Sequence, residues 1–450
     1  MRRFPRAIAS LLALATALSI PPASPAAAAA IVRNPGGPDY RSELSTGGQG
    51  HVWRGTHRIA FTNLDVTPLD TIYLRVWSNG VLGCAAGSIE ISNLQGGTIG
   101  ATTQRCTAIE VTLDAPLALG DRTAISMDLR IEVPEKNDRF GYHKGLTLIG
   151  TALPTLAIHD DAGWHLDPFV DLGESFYSIV GSYRVTLETP DALDTPTTGV
   201  LVDRRKAGAG RESRTYAARD VRDFAWAASH LRTMTARSGD TRVVVSYQAD
   251  AVTDRKATAR LRDAVTSMDT FSAAFGTFPY KEMDVVLGGS AAFGGMEYPT
   301  VIFTNLARLT VSHELAHQWW YGIVGDNEYA EPWLDESFAS WSQFLPFGPW
   351  RVCKKYTFPG AGARITNDMG YWDSHPGEYG TIYGGGGCML ANLAHRFGQK
   401  SFSSILRSYA ARHWFGVART ADFKARIEKA AAARLPGLDM AAYWATWRVD

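Results

Sequence analysis

Two histidines four residues apart, with a glutamate directly after the first, are the densest chemistry in this sequence: His313-Glu314-Leu-Ala-His317. On a helix, residues four apart lie on one face, so both imidazoles point at one spot with the Glu314 carboxylate beside it. Neutral imidazole suits Zn2+, and a catalytic zinc keeps three protein ligands and one open position for water. A third ligand is therefore needed. Glu336 lies nineteen residues beyond His317, in Trp333-Leu-Asp-Glu-Ser-Phe-Ala. That interval accommodates a helix end, a loop and the start of a second helix packed on the first. The pattern implies one Zn2+ per chain, with Glu314 as general base toward a metal-activated water.

Four more carboxylates, Asp326, Glu328, Glu331 and Asp335, lie between or beside these positions. A metal-bound histidine usually gives its second ring nitrogen a partner, and spacing alone does not choose among the four. The cysteines are Cys84, Cys106, Cys353 and Cys388. Three pairings are open. Cys84–Cys106 with Cys353–Cys388 keeps each bridge inside one domain and is the expected one.

The elements that must hold this site come in two blocks. From Ile31 to about Thr198, short runs alternate apolar with polar residues: His57–Asn63, Thr71–Trp77, Ile89–Ile91, Ile109–Leu113 and Ala124–Val133. Gly, Pro, Asn and Asp separate them, which reads as a β-sandwich. Later segments turn helical. Asp254–Phe275 stops at Gly276, Ala307–Ile323 carries the histidines, and Pro332–Phe344 carries Glu336. Met283–Leu287 reads as a buried strand, and Met389–Phe397, Ser401–His413, Ala421–Ala433 and Met440–Trp447 as further helices. The expected architecture is α+β and multidomain, an N-terminal antiparallel β-sandwich over residues 31–207 followed by a mostly helical catalytic domain over 208–450.

Residues 1–30 have the three parts of a signal peptide: Arg2, Arg3 and Arg6, an apolar run from Ala7 to Ile20, and small residues ending at Ala30. The run is shorter than the ~20 residues that span a bilayer. The expected product is exported and soluble outside the cytoplasm. Lys+Arg and Asp+Glu both number 45, so charge gives no reason to expect nucleic acid or an anionic membrane as partner. The expected partners are peptide substrates, and the expected state is a monomer.

His313-Glu-Leu-Ala-His-Gln-Trp-Trp, the nineteen-residue step and Trp333-Leu-Asp-Glu-Ser-Phe-Ala together resemble the aminopeptidase N family of gluzincins, whose catalytic domain is thermolysin-like. The family's second segment usually reads W-L-N-E-G-F-A, so Asp335 stands for Asn and Ser337 for Gly. Phe293-Gly-Gly-Met-Glu-Tyr-Pro resembles the family's G-x-M-E-N segment, with Tyr298 for Asn. The resemblance implies that Gly294, Gly295 and Met296 pair with an extended substrate and that Glu297 holds its free α-ammonium. A carboxylate and an open strand edge suit those tasks. Tyr383-Gly-Gly-Gly-Gly resembles the segment whose Tyr donates to the oxyanion, with Gly385 where Lys is frequent and Tyr379 as the rival candidate.

The resemblance implies a zinc-dependent aminopeptidase. Two other readings compete: an exported gluzincin endopeptidase, and a peptide-binding module that has lost catalysis. The second would lack a ligand, Glu314 or the Tyr, and all have candidates here.

Overall fold

Strand Gly36–Thr46 alternates buried and exposed side chains along its whole length, the pattern of a strand with one wet face. It lies at the centre of a seven-stranded sheet. In spatial order the strands are Val200–Lys206, Arg211–Val221, Gly181–Pro190, Gly36–Thr46, Val52–Thr62, Arg122–Glu132 and Ile89–Gln95. All neighbours are antiparallel except Gly36–Thr46 with Gly181–Pro190, which run parallel. The sandwich is thus mixed rather than purely antiparallel, because the chain, after adding strands on one side of Gly36–Thr46, returns at Gly181–Pro190 to its other side in the same direction. A second sheet, Thr155–Leu156, Leu69–Arg75, Ala108–Leu117 and Gly97–Thr103, closes over the first. Ile59, Phe61, Ile72, Leu74, Val111 and Ile125 fill the space between them.

The computed structural model describes residues 31–84, 88–288, 294–348 and 353–450. The leader expected over residues 1–30 lies outside the described residues, and so does Phe293. The division expected at 207/208 falls in the turn between strands Val200–Lys206 and Arg211–Val221. The sheet runs on to Val221, and Trp226–Ala228 pairs with Leu146–Ile149.

The second block opens with a sheet of its own. Its order is Arg232–Ser238, Thr241–Tyr247, Glu282–Leu287, Val301–Thr304 and Gly295–Met296. Among the described residues eight α-helices accompany it, in chain order: α1 (Asp254–Phe275), α2 (Arg308–Ala316), α3 (Trp333–Ser342), α4 (Met369–Ser374), α5 (Gly387–Phe397), α6 (Gln399–Arg412), α7 (Thr420–Arg434) and α8 (Met440–Trp447). The bounds of α1 are those read from its sequence: the Thr253 side chain accepts from Lys256 N, and Gly276 takes φ +131° at its end.

Helix α2 is shorter than the expected 307–323. Past Ala316 the N–H groups of Gly322, Ile323 and Val324 bond to carbonyls five residues back, at His317, Gln318 and Trp319. The wider turn puts both Trp319 and Trp320 indoles inside, donating to Gly276 O at 2.9 Å and Ser342 Oγ at 3.1 Å. Apolar periodicity continues through this stretch while the bonding changes, which is why the sequence reads as unbroken helix.

Both expected disulfides form, Cys84–Cys106 and Cys353–Cys388, with Cα–Cα distances of 5.3 and 5.2 Å. The second pins the chain onto the first turn of α5.

Asp223, just past the sandwich sheet, is 6 % exposed, with Phe224 N donating to it at 2.6 Å. Burial pushes its carboxyl from 3.8 up to about 7. The folded state therefore holds a proton that the unfolded chain releases, so stability present below pH 4 is lost as pH rises through 7. Asp223→Asn is expected to stabilise by up to about 4 kcal/mol at pH 8 but only about 2 kcal/mol at pH 5, so its gain in Tm is larger at pH 8. Thermal melts at the two pH values check this.

Candidate active site

Helix α2 delivers His313, its C-cap residue His317 follows one turn on, and the first turn of α3 delivers Glu336. His313 Nε2 and His317 Nε2 lie 3.1 Å apart, and Glu336 Oε2 lies 3.1 Å from the first and 3.5 Å from the second. Tetrahedral ligands at 2.0–2.1 Å from one ion would lie about 3.3 Å from each other. The three donors thus fit zinc in chemistry and in spacing. His317 Nδ1 donates to Trp320 O at 3.1 Å, leaving Nε2 its lone pair. Of the four carboxylates the sequence left open, Asp335 comes nearest His317 Nδ1, at 3.7 Å. Glu331 instead accepts from Thr420 N, and Glu328 from Phe176 N. For His317, burial opposes protonation, but the carboxylates of Glu297, Glu336 and Glu314 outweigh it and lift its pKa to about 10. The pocket's field favours a cation at this place.

Glu314 is buried, and its pKa is pushed well up, by burial first and then by the charge of Glu297. A raised pKa suits a group that must take and return a proton. Gly295 passes so close that a Cβ there would meet Glu314 Oε1 at 2.3 Å. Gly295–Met296 is the edge strand of its sheet, paired on one side with Val301–Thr304; Met296 itself is buried.

The turn after that strand is clamped from α2. Gln318 donates to Glu297 O and Tyr298 O at 3.1 and 3.2 Å and accepts from Thr300 N at 2.8 Å. Tyr298 packs away from the cleft, among Leu146, Leu148, Phe176 and Phe303. A Cβ on Gly150 would meet its hydroxyl at 1.9 Å, so a bare glycine in the β-rich half makes room for this ring. Glu297 is 3 % exposed and is pushed up to about 7, mainly by burial, with Glu174 and Glu336 adding and His317 and Arg139 opposing.

Tyr383 stands in a π-helix, Thr381–Gly386, that runs directly into α5. Its hydroxyl donates to Glu336 Oε1 at 2.6 Å, and burial first, then Glu336, keeps its pKa well above the usual 10. It therefore remains a donor. Tyr379 sits behind it, hydroxyl to hydroxyl at 3.4 Å. The π-helix is tied to α3 by Ser337, whose Oγ donates to Ile382 O at 2.6 Å. Gly386 leaves the space for that serine, since a Cβ there would meet Ser337 Oγ at 1.8 Å.

These groups line a cleft of ≈ 410 Å³ that includes Gly294, Gly295, Glu297, Glu314 and Tyr383. Glu174 and Arg139 form its β-rich wall, ion-paired to each other, with Arg139 Nη2 also donating to Gly173 O at 3.0 Å.

No family model matches the chain. Rice aminopeptidase M1-B is 28 % identical over 201 residues, 37 % of this chain and 23 % of that protein. Arabidopsis thaliana aminopeptidase M1 is 26 % identical over 198 residues, 36 % of this chain and 22 % of that protein. Aminopeptidase N of Lactococcus lactis subsp. cremoris is 26 % identical over 137 residues, 27 % and 16 % of the two chains. The match thus takes in under a quarter of the length of these relatives. Among solved structures, an M1 zinc metallopeptidase from Deinococcus radiodurans superposes with a TM-score of 0.63 at 17 % identity, over 92 % of this chain and 94 % of that one. A mutant of that protein bound to a Tyr-Ser-Ala substrate gives 0.64 with the same coverage. The fold is that of the two-domain M1 zinc metallopeptidases. Together with the sequence relatives it supports the aminopeptidase N family that the motifs resemble.

Within the M1 fold, all nine residues singled out from the sequence meet at one cleft or on the strand bordering it. Glu174, Arg139, Gln318 and Ser337 were missed. The first two lie far away in sequence, on the β-rich half, and no local pattern marks them. Gln318 and Ser337 sit inside the quoted motifs, but their partners are backbone groups that only the fold brings near.

Proposed function

We propose that the protein is a zinc-dependent aminopeptidase that removes N-terminal residues from peptides. The observation that carries the reading is the set of two imidazole nitrogens and one carboxylate oxygen within 3.5 Å of each other, with Glu314 alongside and Glu297 facing the same cleft. Zinc held by His313, His317 and Glu336 would supply a Lewis acid and lower the pKa of water toward 7. Glu314 takes the proton of the attacking water and returns it to the leaving amine. The Tyr383 hydroxyl turns from Glu336 Oε1 to donate to the oxyanion. The free edge of Gly295–Met296 aligns the substrate as an added strand. Glu297 and Glu174 hold the α-ammonium, whose positive charge favours the ionised form of carboxylates that burial otherwise raises.

Ser337 is a positioning residue in this scheme, acting through the π-helix on Tyr383. Ser337→Ala is expected to lower kcat ~10-fold with little change in KM, the effect of about one buried hydrogen bond. The loss should nearly vanish in a Tyr383→Phe background, and steady-state kinetics of the double-mutant cycle checks this.

Rates on aminoacyl anilides against N-blocked peptides separate exo- from endopeptidase action. Preference for free amines that Glu297→Gln reduces ~10²-fold in kcat/KM supports the reading, since a desolvated charge pair is lost. Equal rates on blocked peptides would favour the endopeptidase.

Residues 31–228 would form the β-rich domain and 229–450 the catalytic one. The leader pattern of residues 1–30 supports export, which fractionation of expressing cells tests. Among the described residues no helix is long and apolar enough to cross a membrane. We place a monomer in solution, to be checked by light scattering.

A further inference from the structure

Three carboxylates meet in the interior next to the cleft. Glu297, Glu328 and Asp335 each place one oxygen within 4.8 Å of the other two. They are 3 %, 1 % and 1 % exposed. Each has an oxygen with no hydrogen-bond partner in the protein: Glu297 Oε1, Glu328 Oε1 and Asp335 Oδ2. The remaining oxygens of two of them are held by backbone, Glu328 Oε2 by Phe176 N at 3.0 Å and Asp335 Oδ1 by Glu336 N at 2.6 Å. These bonds fix two of the three carboxylates in place, and one oxygen on each of the three is left without a partner. The cationic group nearest Asp335 Oδ2 is His317 Nδ1 at 3.7 Å, but its proton goes to Trp320 O.

Charge makes the cluster harder to leave alone. Asp326, also buried, has both oxygens without a partner. Arg222 is the guanidinium that faces it, yet Arg222 directs its N–H groups at the carbonyls of Tyr321, Ser178 and Gly416. Arg139 is committed to Glu174. The buried carboxylates of Glu297, Glu314, Asp326, Glu328, Asp335 and Glu336 would thus face one guanidinium and, with the histidine site loaded, one divalent ion. Three negative charges remain in excess, and buried carboxylates persist only when paired, ligated or protonated.

We propose that Glu297, Glu328 and Asp335 form a second cation site, for calcium. All three donors are carboxylate oxygens, the preference of a hard cation, with no nitrogen or sulfur to select zinc. One oxygen of each lies within 4.8 Å of the other two, so a single ion can reach all three. Calcium accepts irregular geometry and would complete its six to eight oxygens with water, whereas magnesium demands a near-ideal octahedron. The ion would brace Glu297 at the edge of the cleft and Asp335 beside His317. The proposal does not rest on the peptidase reading.

The full chain, stripped of metal and reloaded with one equivalent of zinc, is titrated with calcium and assayed for both metals by mass spectrometry after desalting. One calcium per chain beside one zinc is expected in the wild type. Glu328→Gln should keep its zinc and bind calcium at least ~10-fold more weakly. No calcium uptake at millimolar concentration would overturn the proposal and leave protons as the neutralising partner. Wild-type calcium affinity in Glu328→Gln, or a second zinc in place of calcium, would overturn it too. Should that variant not fold, crystals of the wild type grown with calcium decide by anomalous scattering: a peak among Glu297, Glu328 and Asp335 supports the site, and no peak there refutes it. A chain that takes calcium but no zinc would sink the peptidase reading and leave this one standing.

Discussion

Glu314→Gln is expected to keep its zinc and lose peptide hydrolysis by ~10³-fold or more. The substitution preserves shape, so the Gly295 backbone that presses on this side chain keeps its place, and the three ligand atoms lie on other residues. What disappears is the basic carboxylate of Glu314 beside the metal site. A positioned general base contributes ~10²–10⁴-fold, and here the same group must also protonate the leaving amine, so the upper part of that range applies. Burial and the charge of Glu297 raise the Glu314 pKa, and a cation at the histidines would draw it back toward the working range. Zinc content and single-turnover rate of the variant, measured together, separate loss of the base from loss of the metal.

Tyr383→Phe is expected to lower kcat ~10²–10³-fold, the effect of removing one oxyanion donor, with KM and zinc content nearly unchanged. Its hydroxyl rests on Glu336 Oε1, so the ring is already within reach of the place where charge develops. Tyr379→Phe, by contrast, should cost little, because that hydroxyl touches the Tyr383 hydroxyl and not Glu336 or the histidines. A tetrahedral phosphinate inhibitor should lose affinity for Tyr383→Phe in step with kcat, while a ground-state analogue should not. Equal kcat in the two Phe variants would remove Tyr383 from the scheme.

How much of this was legible in the sequence depended on how local each contact is. The two histidines share one helix face, so four-residue spacing identified them directly. Glu336 needed only a plausible interval and a second helix. Tyr383 needed the motif that follows it, and the π-helix that presents it has no signature in sequence beyond a run of glycines. Glu174 could not be found by spacing, since the loop that brings it to the cleft lies about 140 residues before the histidine helix. The end of α2 was misread because Trp319 and Trp320 extend the apolar rhythm while the backbone changes from four-residue to five-residue bonding. The single parallel pair in the sandwich was invisible for a similar reason: alternation marks a strand but not its neighbour's direction. Tyr298, where the segment departs from the resembled pattern, is explained by its slot against Gly150, a packing contact from the other half of the chain.

The most direct test of the central claim is zinc stoichiometry measured alongside hydrolysis of an aminoacyl anilide, for the wild type and for Glu336→Ala. One zinc per chain is predicted for the wild type, with activity abolished by a chelator and restored by added zinc, and both zinc and activity lost in the variant. Hydrolysis that survives metal removal, or a Glu336→Ala chain that keeps its zinc and its rate, would contradict the account.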